Sequence, residues 1–162
     1  MISTLYIARH GETNENAQGI VQGHSYGMLS ERGLRQAVLI AARFSTIPLD
    51  AIWSSDLDRA RITAETIAKS HSVEVRIDRR LREKSFGIYE GRPSSDYIRD
   101  RAAQNGNPLT FRVSGGETFP ELFERCDQFL RELFDTETGE TVLIVAHGGT
   151  NRGLLRSLLK LT

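Results

Sequence analysis

The chain has 162 residues, with 21 basic and 21 acidic side chains and hence a formal net charge of zero. No whole-molecule field draws it to nucleic acid or to an anionic membrane surface, so any positive potential must be local. The length suits one domain over residues 1–162, and 39% hydrophobic against 26% charged residues is the balance of a soluble globular protein.

Cys126 is the only cysteine, which rules out a disulfide framework and a cysteine cluster for zinc. The chain opens without a charged segment followed by a long apolar core, and no apolar run approaches the roughly 18 residues of a membrane helix. A cytoplasmic, reducing setting is the expectation.

Leu5-Tyr6-Ile7-Ala8 is an apolar run that stops abruptly at Arg9-His10-Gly11. Too short for a helix, it suits a strand buried on both faces of a parallel sheet. The polar stretch 14–26, punctuated by Gly19 and Gly23, predicts a loop over that strand's end. Ser30 is a candidate N-cap for a helix with Leu34, Val38, Ala41 and Ala42 on its inner side. Pro48 closes the connection to a second short strand, Ala51-Ile52-Trp53, ending in Ser54-Ser55-Asp56. The next helix carries Arg59 and Arg61 beside the apolar set Ala60, Ala64, Ile67 and Ala68.

Alternation over Val73-Glu74-Val75-Arg76-Ile77 predicts a half-exposed strand. Leu81 to Gly91 reads as irregular, and Ser94 to Gln104 as a short polar helix. Thr118 caps the clearest amphipathic helix, with Phe119, Leu122, Phe123, Cys126, Phe129, Leu130, Leu133 and Phe134 on one stripe. After Gly139 the opening design returns, because Val142-Leu143-Ile144-Val145-Ala146 runs straight into His147-Gly148-Gly149. A last helix carries Leu154, Leu155, Leu158, Leu159 and Leu161. Strands alternating with helices predict an α/β fold with helices on both faces of a parallel sheet.

Ligands of such sheets bind just beyond the carboxyl ends of the strands, where two strands deliver two histidines. If Arg9, His10, Arg59, Glu83 and His147 converge there, the set suits phosphoryl transfer. Neutral imidazole attacks phosphorus once one ring nitrogen is fixed as a donor. Arginines give two-point, charge-assisted bonds to phosphate, and backbone N–H groups near Gly148 add donors at a helix start. Glu83 is the candidate proton donor to the leaving alkoxide and later the base that activates water. The scheme needs no metal or cofactor. Blander readings cover the rest: His24 and His71 as surface residues, Arg61 as a helix-surface residue, Cys126 as a core thiol, and Glu12 as an orienting carboxylate. Tyr89, Tyr97 and Phe111 suit a pocket or plain packing equally.

Arg9-His10-Gly11-Glu12-Thr13, with Asn16 and Gln22-Gly23, closely resembles the signature of the histidine phosphatase superfamily, the phosphoglycerate mutase-like proteins. Further resemblances follow in order: Leu29 to Gly33, Ser54 to Ala60 with Thr63-Ala64, Leu81-Arg82-Glu83, Phe86-Gly87, Glu90-Gly91, Gly115-Gly116-Glu117 and Ala146 to Gly149. The resemblance implies a three-layer α/β/α fold with a mostly parallel sheet. It further implies a phosphohistidine on His10, a phosphate pocket of Arg9, Arg59 and His147, and Glu83 as acid. Asn16 would touch the phosphoryl group, and Gln22 and Gly23 would lie along the substrate's approach.

Two departures shape the expectation. The interval from Gly91 to Gly115 is shorter than the insertion that covers the site in cofactor-dependent mutases that resemble this chain, which favours transfer to water. The family's further strand after the last helix is also missing here, so the sheet is expected to lack that edge. The expected activity is therefore metal-independent hydrolysis of a small phosphorylated metabolite. Phosphoglycerate mutase-type transfer and a non-catalytic regulatory relative are the alternatives, and the four histidines show no zinc-hydrolase spacing. The expected partner is a small phosphate ester and neither nucleic acid nor membrane, with oligomeric state open and a homodimer as one option.

Overall fold

In the computed structural model, which describes residues 1–104 and 106–161, four strands form one parallel sheet in the order β1-β4-β2-β3. They are β1 (Thr4–Arg9), β2 (Ala51–Ser54), β3 (Val75–Ile77) and β4 (Thr141–Ala146). Six helices accompany them among the described residues: α1 (Asn14–Ala17), α2 (Glu31–Phe44), α3 (Asp58–Ala68), α4 (Ser94–Ala103), α5 (Phe119–Thr136) and α6 (Gly148–Leu158). None is long and apolar enough to cross a membrane.

The continuous apolar run of β4 has its cause in the two layers it separates. Val142, Ile144 and Ala146 pack with Leu122, Cys126, Phe129 and Leu130 of α5 and Leu154 of α6. Leu143 and Val145 point the other way, into Phe44 of α2 and Ala60, Ala64 and Ile67 of α3. Successive side chains of a strand alternate between faces, so a strand covered on both sides must be apolar throughout. Each fully buried Val, Leu or Ile contributes roughly 1.5–3 kcal/mol of transfer free energy.

The pairing of β1 with β4 positions the site. Their register matches Thr4 to Thr141 through Arg9 to Ala146, and the His10 N–H extends the ladder to the Ala146 carbonyl at 3.1 Å. Residue 10 therefore emerges beside residue 147 at the carboxyl edge. The β2 end, Ser54-Ser55, is buried at the same edge. At the start of α5, Thr118 and Glu121 form a reciprocal capping box, a device worth about 1 kcal/mol.

Several expectations change. Residues 14–17 are a short helix, not loop, because Thr13 caps it and Asn16 bonds back to the cap. The inner face of α2 is Gly33, Ala37 and Phe44, whereas Leu34 and Val38 are 50% and 60% exposed. Gly33 sets this rotation: its Cα lies against the Glu12 and Gly11 backbone, where a Cβ would collide with the Glu12 carbonyl. On α5, Phe134 is exposed; of the leucines expected on the last helix only Leu154 is fully buried, Leu155 faces out, and Leu159 and Leu161 lie exposed beyond its end at Leu158. The edge strand β3 is shorter than its alternation predicts and starts at Val75.

Candidate active site

His10 is buried and reaches the sheet edge with its ring centroid 5.0 Å from that of His147, the two planes at 59°. Its Nδ1 lies 2.7 Å from the Gly11 carbonyl. A carbonyl only accepts, so Nδ1 carries the proton and Nε2 keeps its lone pair. The Gly11 N–H in turn donates to Thr63 Oγ1 at 3.2 Å, which fixes that carbonyl's peptide neighbour. Burial, with Arg59 and Arg9 nearby, lowers the His10 pKa to about 4. Burial is the larger cause, ahead of the two cations.

His147 is fully buried as the N-cap residue of α6, and neither ring nitrogen has a protein partner among the described residues. Burial first, then Arg59 and His10, hold its pKa well below the usual value. Buried polar atoms without partners are costly, and here they sit beside a second imidazole. Arg59, second residue of α3, is only 2% exposed. It donates through Nη1 to the Ser25 carbonyl (3.1 Å) and through Nη2 to the Gly23 carbonyl (2.7 Å), while Nε–H is unpaired. One guanidinium thus shapes the 22–26 loop and still holds donors in reserve.

Arg9, at the end of β1, is exposed to a cavity of about 450 Å³ that it lines with His10, Glu12, Asn16 and Gln36. A smaller hollow of about 250 Å³ shares Arg9, His10 and Gln36 and runs toward Ala37, Ile40 and Thr63. Gly148 is where Arg9 and Glu83 meet, because a Cβ there would lie 3.7 Å from Arg9 Cζ and 3.8 Å from Glu83 Oε2. Glu83 leaves the irregular segment after Leu81 and accepts from the Gly149 N–H (3.0 Å) and from the Lys84 N–H (2.8 Å). The donor expected at the α6 start is therefore already used by Glu83.

The expected residues Arg9, His10, Arg59, Glu83, His147 and Gly148 come together. Asn16 reaches the same cavity with its Oδ1 on the Thr13 N–H. Gln22 departs from expectation. It is buried, accepting from Thr13 Oγ1 (2.9 Å) and donating to Glu15 (3.2 Å), so its amide holds the loop from behind. Gly23 turns through φ +54° with the Glu90 carboxylate against its Cα, a backbone that favours glycine. Glu12 accepts from Ser30 Oγ and Arg32, tying the α2 start to the histidine loop, as an orienting carboxylate should.

His24 and His71 are half-buried, not surface residues. His24 Nε2 lies 2.7 Å from the Glu83 carbonyl, and His71 bridges the Ile67 and Ile47 carbonyls. Arg61 faces out, paired with Asp58 and Glu65, and Cys126 is a core thiol with its pKa pushed up to about 12 by burial. Tyr89, Tyr97 and Phe111 join Phe86 and Val113 in a separate aromatic cluster.

Sequence reasoning passed over Arg125 and Thr150, and quoted Glu90 and Glu117 only within family motifs, with no role of their own. Glu90 accepts from the His24 N–H, the Phe86 N–H and Ser85 Oγ, joining two site loops. Thr150 Oγ1 donates to the Arg82 carbonyl at 2.6 Å. A signal for Arg125 exists: it falls three residues after Leu122 and four before Phe129, inside the apolar stripe of α5, where a solvated arginine has no place.

Two facing imidazoles, two arginines and a carboxylate at the carboxyl edge of a parallel sheet are groups of the kind that suit a phosphoryl group. Residues 5–162 match the family description of the histidine phosphatase superfamily (branch 1), and the chain belongs to that superfamily. It is 36% identical to the probable phosphoglycerate mutase GpmB of Cronobacter sakazakii, over 97% of this chain and 75% of that protein. Among solved structures, a mycobacterial glucosyl-3-phosphoglycerate phosphatase in complex with VO3 is similar at TM-score 0.88 and 34% identity, over 98% of this chain and 82% of that one. The alpha-ribazole phosphatase from Shigella flexneri is similar at TM-score 0.89 and 28% identity, over 98% and 80%.

Proposed function

We propose that this chain is a phosphatase that hydrolyses a small phosphate monoester through a transient phosphohistidine on His10, without a metal. The observation that carries the reading is His10 itself. Its Nδ1 is bound to the Gly11 carbonyl, and its pKa of about 4 keeps the ring neutral with Nε2 free at physiological pH. In this reading Nε2 attacks phosphorus as the ester oxygen leaves on the opposite side. Arg9, the spare N–H groups of Arg59 and the protonated nitrogen of His147 meet the charge on the three equatorial oxygens, aided by Asn16. Preorganised donors of this kind are worth roughly 3–4 kcal/mol each. Glu83 gives its proton to the leaving alkoxide, then takes one from the water that cleaves the phosphohistidine.

Water rather than a second substrate hydroxyl is the acceptor we assign. Tyr97, Phe111 and Val113 pack into an aromatic cluster of their own, and among the described residues none of 92–104 or 106–115 lines the 450 Å³ cavity. That leaves the His10 side open to solvent. The mutase reading keeps the support of relatives named as phosphoglycerate mutases, and product analysis separates the two. The test is turnover of an aryl phosphate and of 3-phosphoglycerate in chelator, with product analysis of both, alkaline quenching and mass spectrometry of the peptide containing residue 10. Free phosphate and a phosphorylated His10 peptide are expected. Turnover with the label on another residue, or isomerised ester in place of phosphate, would overturn the proposal.

A further inference from the structure

Glu83 sits on an irregular segment that no helix or strand restrains, yet its carboxylate meets the α6 start within hydrogen-bond distance. We infer that Arg125 of α5 is the positioning residue that holds Glu83 in place for proton transfer, an inference that rests on the acid role assigned to Glu83 above. A guanidinium has five N–H groups in a fixed fork, and all five of Arg125 are committed to this segment and its partner. Nη1 donates to the carbonyls of Arg80 (2.6 Å) and Arg82 (2.7 Å). Nη2 donates to the Glu83 carbonyl (2.8 Å) and to Glu117 Oε2 (3.0 Å), and Nε donates to Glu117 Oε1 (2.8 Å).

Glu117 completes the grip from the other side of Glu83, because its Oε2 accepts from the Ser85 N–H at 2.8 Å. The Arg125–Glu117 pair therefore spans residues 80–85 and binds carbonyls before Glu83 and an N–H after it. Two further donors converge on the same carbonyls: His24 Nε2 on Glu83 at 2.7 Å and Thr150 Oγ1 on Arg82 at 2.6 Å. With the backbone on either side of Glu83 fixed, its carboxylate reaches the Gly149 N–H and the site. Arg125 hydrogen-bonds none of the reacting groups, and its half-buried side chain, 16% exposed, reaches the site through the backbone around Glu83. Lysine, with one compact ammonium, cannot reproduce the fork.

General-acid catalysis matters for a poor leaving group and little for a phenolate that departs unaided. The experiment measures kcat and KM on an alkyl monophosphate and on 2,4-dinitrophenyl phosphate for the wild type, Arg125→Lys and Glu83→Gln. For Arg125→Lys, kcat/KM, which reports transfer to His10 and on which the two esters are compared, is expected to fall about 100-fold for the alkyl ester and only a few-fold for the dinitrophenyl ester. Added guanidinium should partly restore an Arg125→Ala variant on the alkyl ester alone. If the Arg125 variants do not fold, Glu117→Gln removes part of the same grip and should show the same leaving-group dependence at smaller size. Equal losses on both esters, with Glu83→Gln still discriminating between them, would overturn the inference and leave the acid role standing. If Glu83→Gln itself does not discriminate, the acid role fails instead.

Discussion

His147 and Glu83 meet at one end of α6 but are held there by different means. His147 follows β4 directly, so the sheet ladder and two apolar layers fix it with no side-chain hydrogen bond among the described residues. Glu83 belongs to no regular element, and its place depends on side chains from α5 and the 22–26 loop and on a backbone N–H of α6. Ladder-held groups inherit the rigidity of the core, and moving one means disturbing buried apolar contacts. A loop-held group can be displaced by a single local change. The two halves of the site should therefore fail in different ways.

The largest expected effect comes from the ladder-held half. His10→Ala removes the nucleophile and should lower turnover by roughly 10⁴-fold or more, as loss of a catalytic nucleophile does elsewhere. His147→Ala removes a preorganised donor and should cost roughly 10²–10³-fold. Steady-state rates on an aryl phosphate check both, and a His10→Ala variant that keeps more than a few per cent of the wild-type rate would break the assignment. Neither change should relocate Glu83.

Gly149→Ala probes the loop-held half. An added Cβ would collide with Glu83 Oε1 and otherwise stay 3.3 Å or more from the other nearest atoms, Glu83 Cδ and Leu122 Cδ2. The nearest obstacle is the end of a flexible side chain, so the carboxylate swings aside and the fold remains. Alanine also suits a helix better than glycine by up to about 1 kcal/mol. The expected signature is a loss of about 100-fold in kcat on an alkyl phosphate, with KM and the thermal midpoint held or the midpoint raised. A variant that loses stability in step with rate would mean that Gly149 serves the packing of α6 and not the placement of Glu83.

The same division explains what could be read without coordinates. Arg9, His10 and His147 follow apolar runs that stop at polar residues, and such runs dictate where a parallel sheet ends. Arg59 and Glu83 were legible only through their resemblance to family motifs, since a lone arginine or glutamate is by default solvated. The grip on Glu83 was not legible. Arg125 bonds carbonyl oxygens more than 40 positions away, and carbonyls carry no sequence signal. Gln22 was misplaced for a related reason: an amide serves a loop's interior as readily as a ligand, and only the positions of Thr13 and Glu15 decide. Leu34 and Val38 misled because Gly33, without a side chain, is the residue that meets the core, and periodicity gives glycine no weight.

The smallest effect is on stability against pH, and it isolates the cost of the ladder-held pair. In the unfolded chain both imidazoles titrate near 6.5. In the folded protein His10 titrates at about 4 and His147 well below its usual value, both chiefly through burial. Between about pH 6.5 and 4 the unfolded state therefore binds more protons than the folded one. Stability rises with pH wherever that holds, so acidification through this window destabilises the fold, by up to about 1.4 kcal/mol per pH unit for each ring. Carboxylates held low, such as Glu121 at about 2 through Arg112 and the Thr118 cap, add their own loss only below the usual carboxylate range. Urea unfolding from pH 7 to 4.5 should show the decline in the wild type and a shallower one in His10→Asn/His147→Asn. Replacing the pair removes the protons that the buried site refuses, so the variant should overtake the wild type in relative stability as the pH falls. Parallel slopes for the two proteins would mean that the histidines titrate freely in the folded state and that the neutral Nε2 assigned to His10 lacks its physical basis.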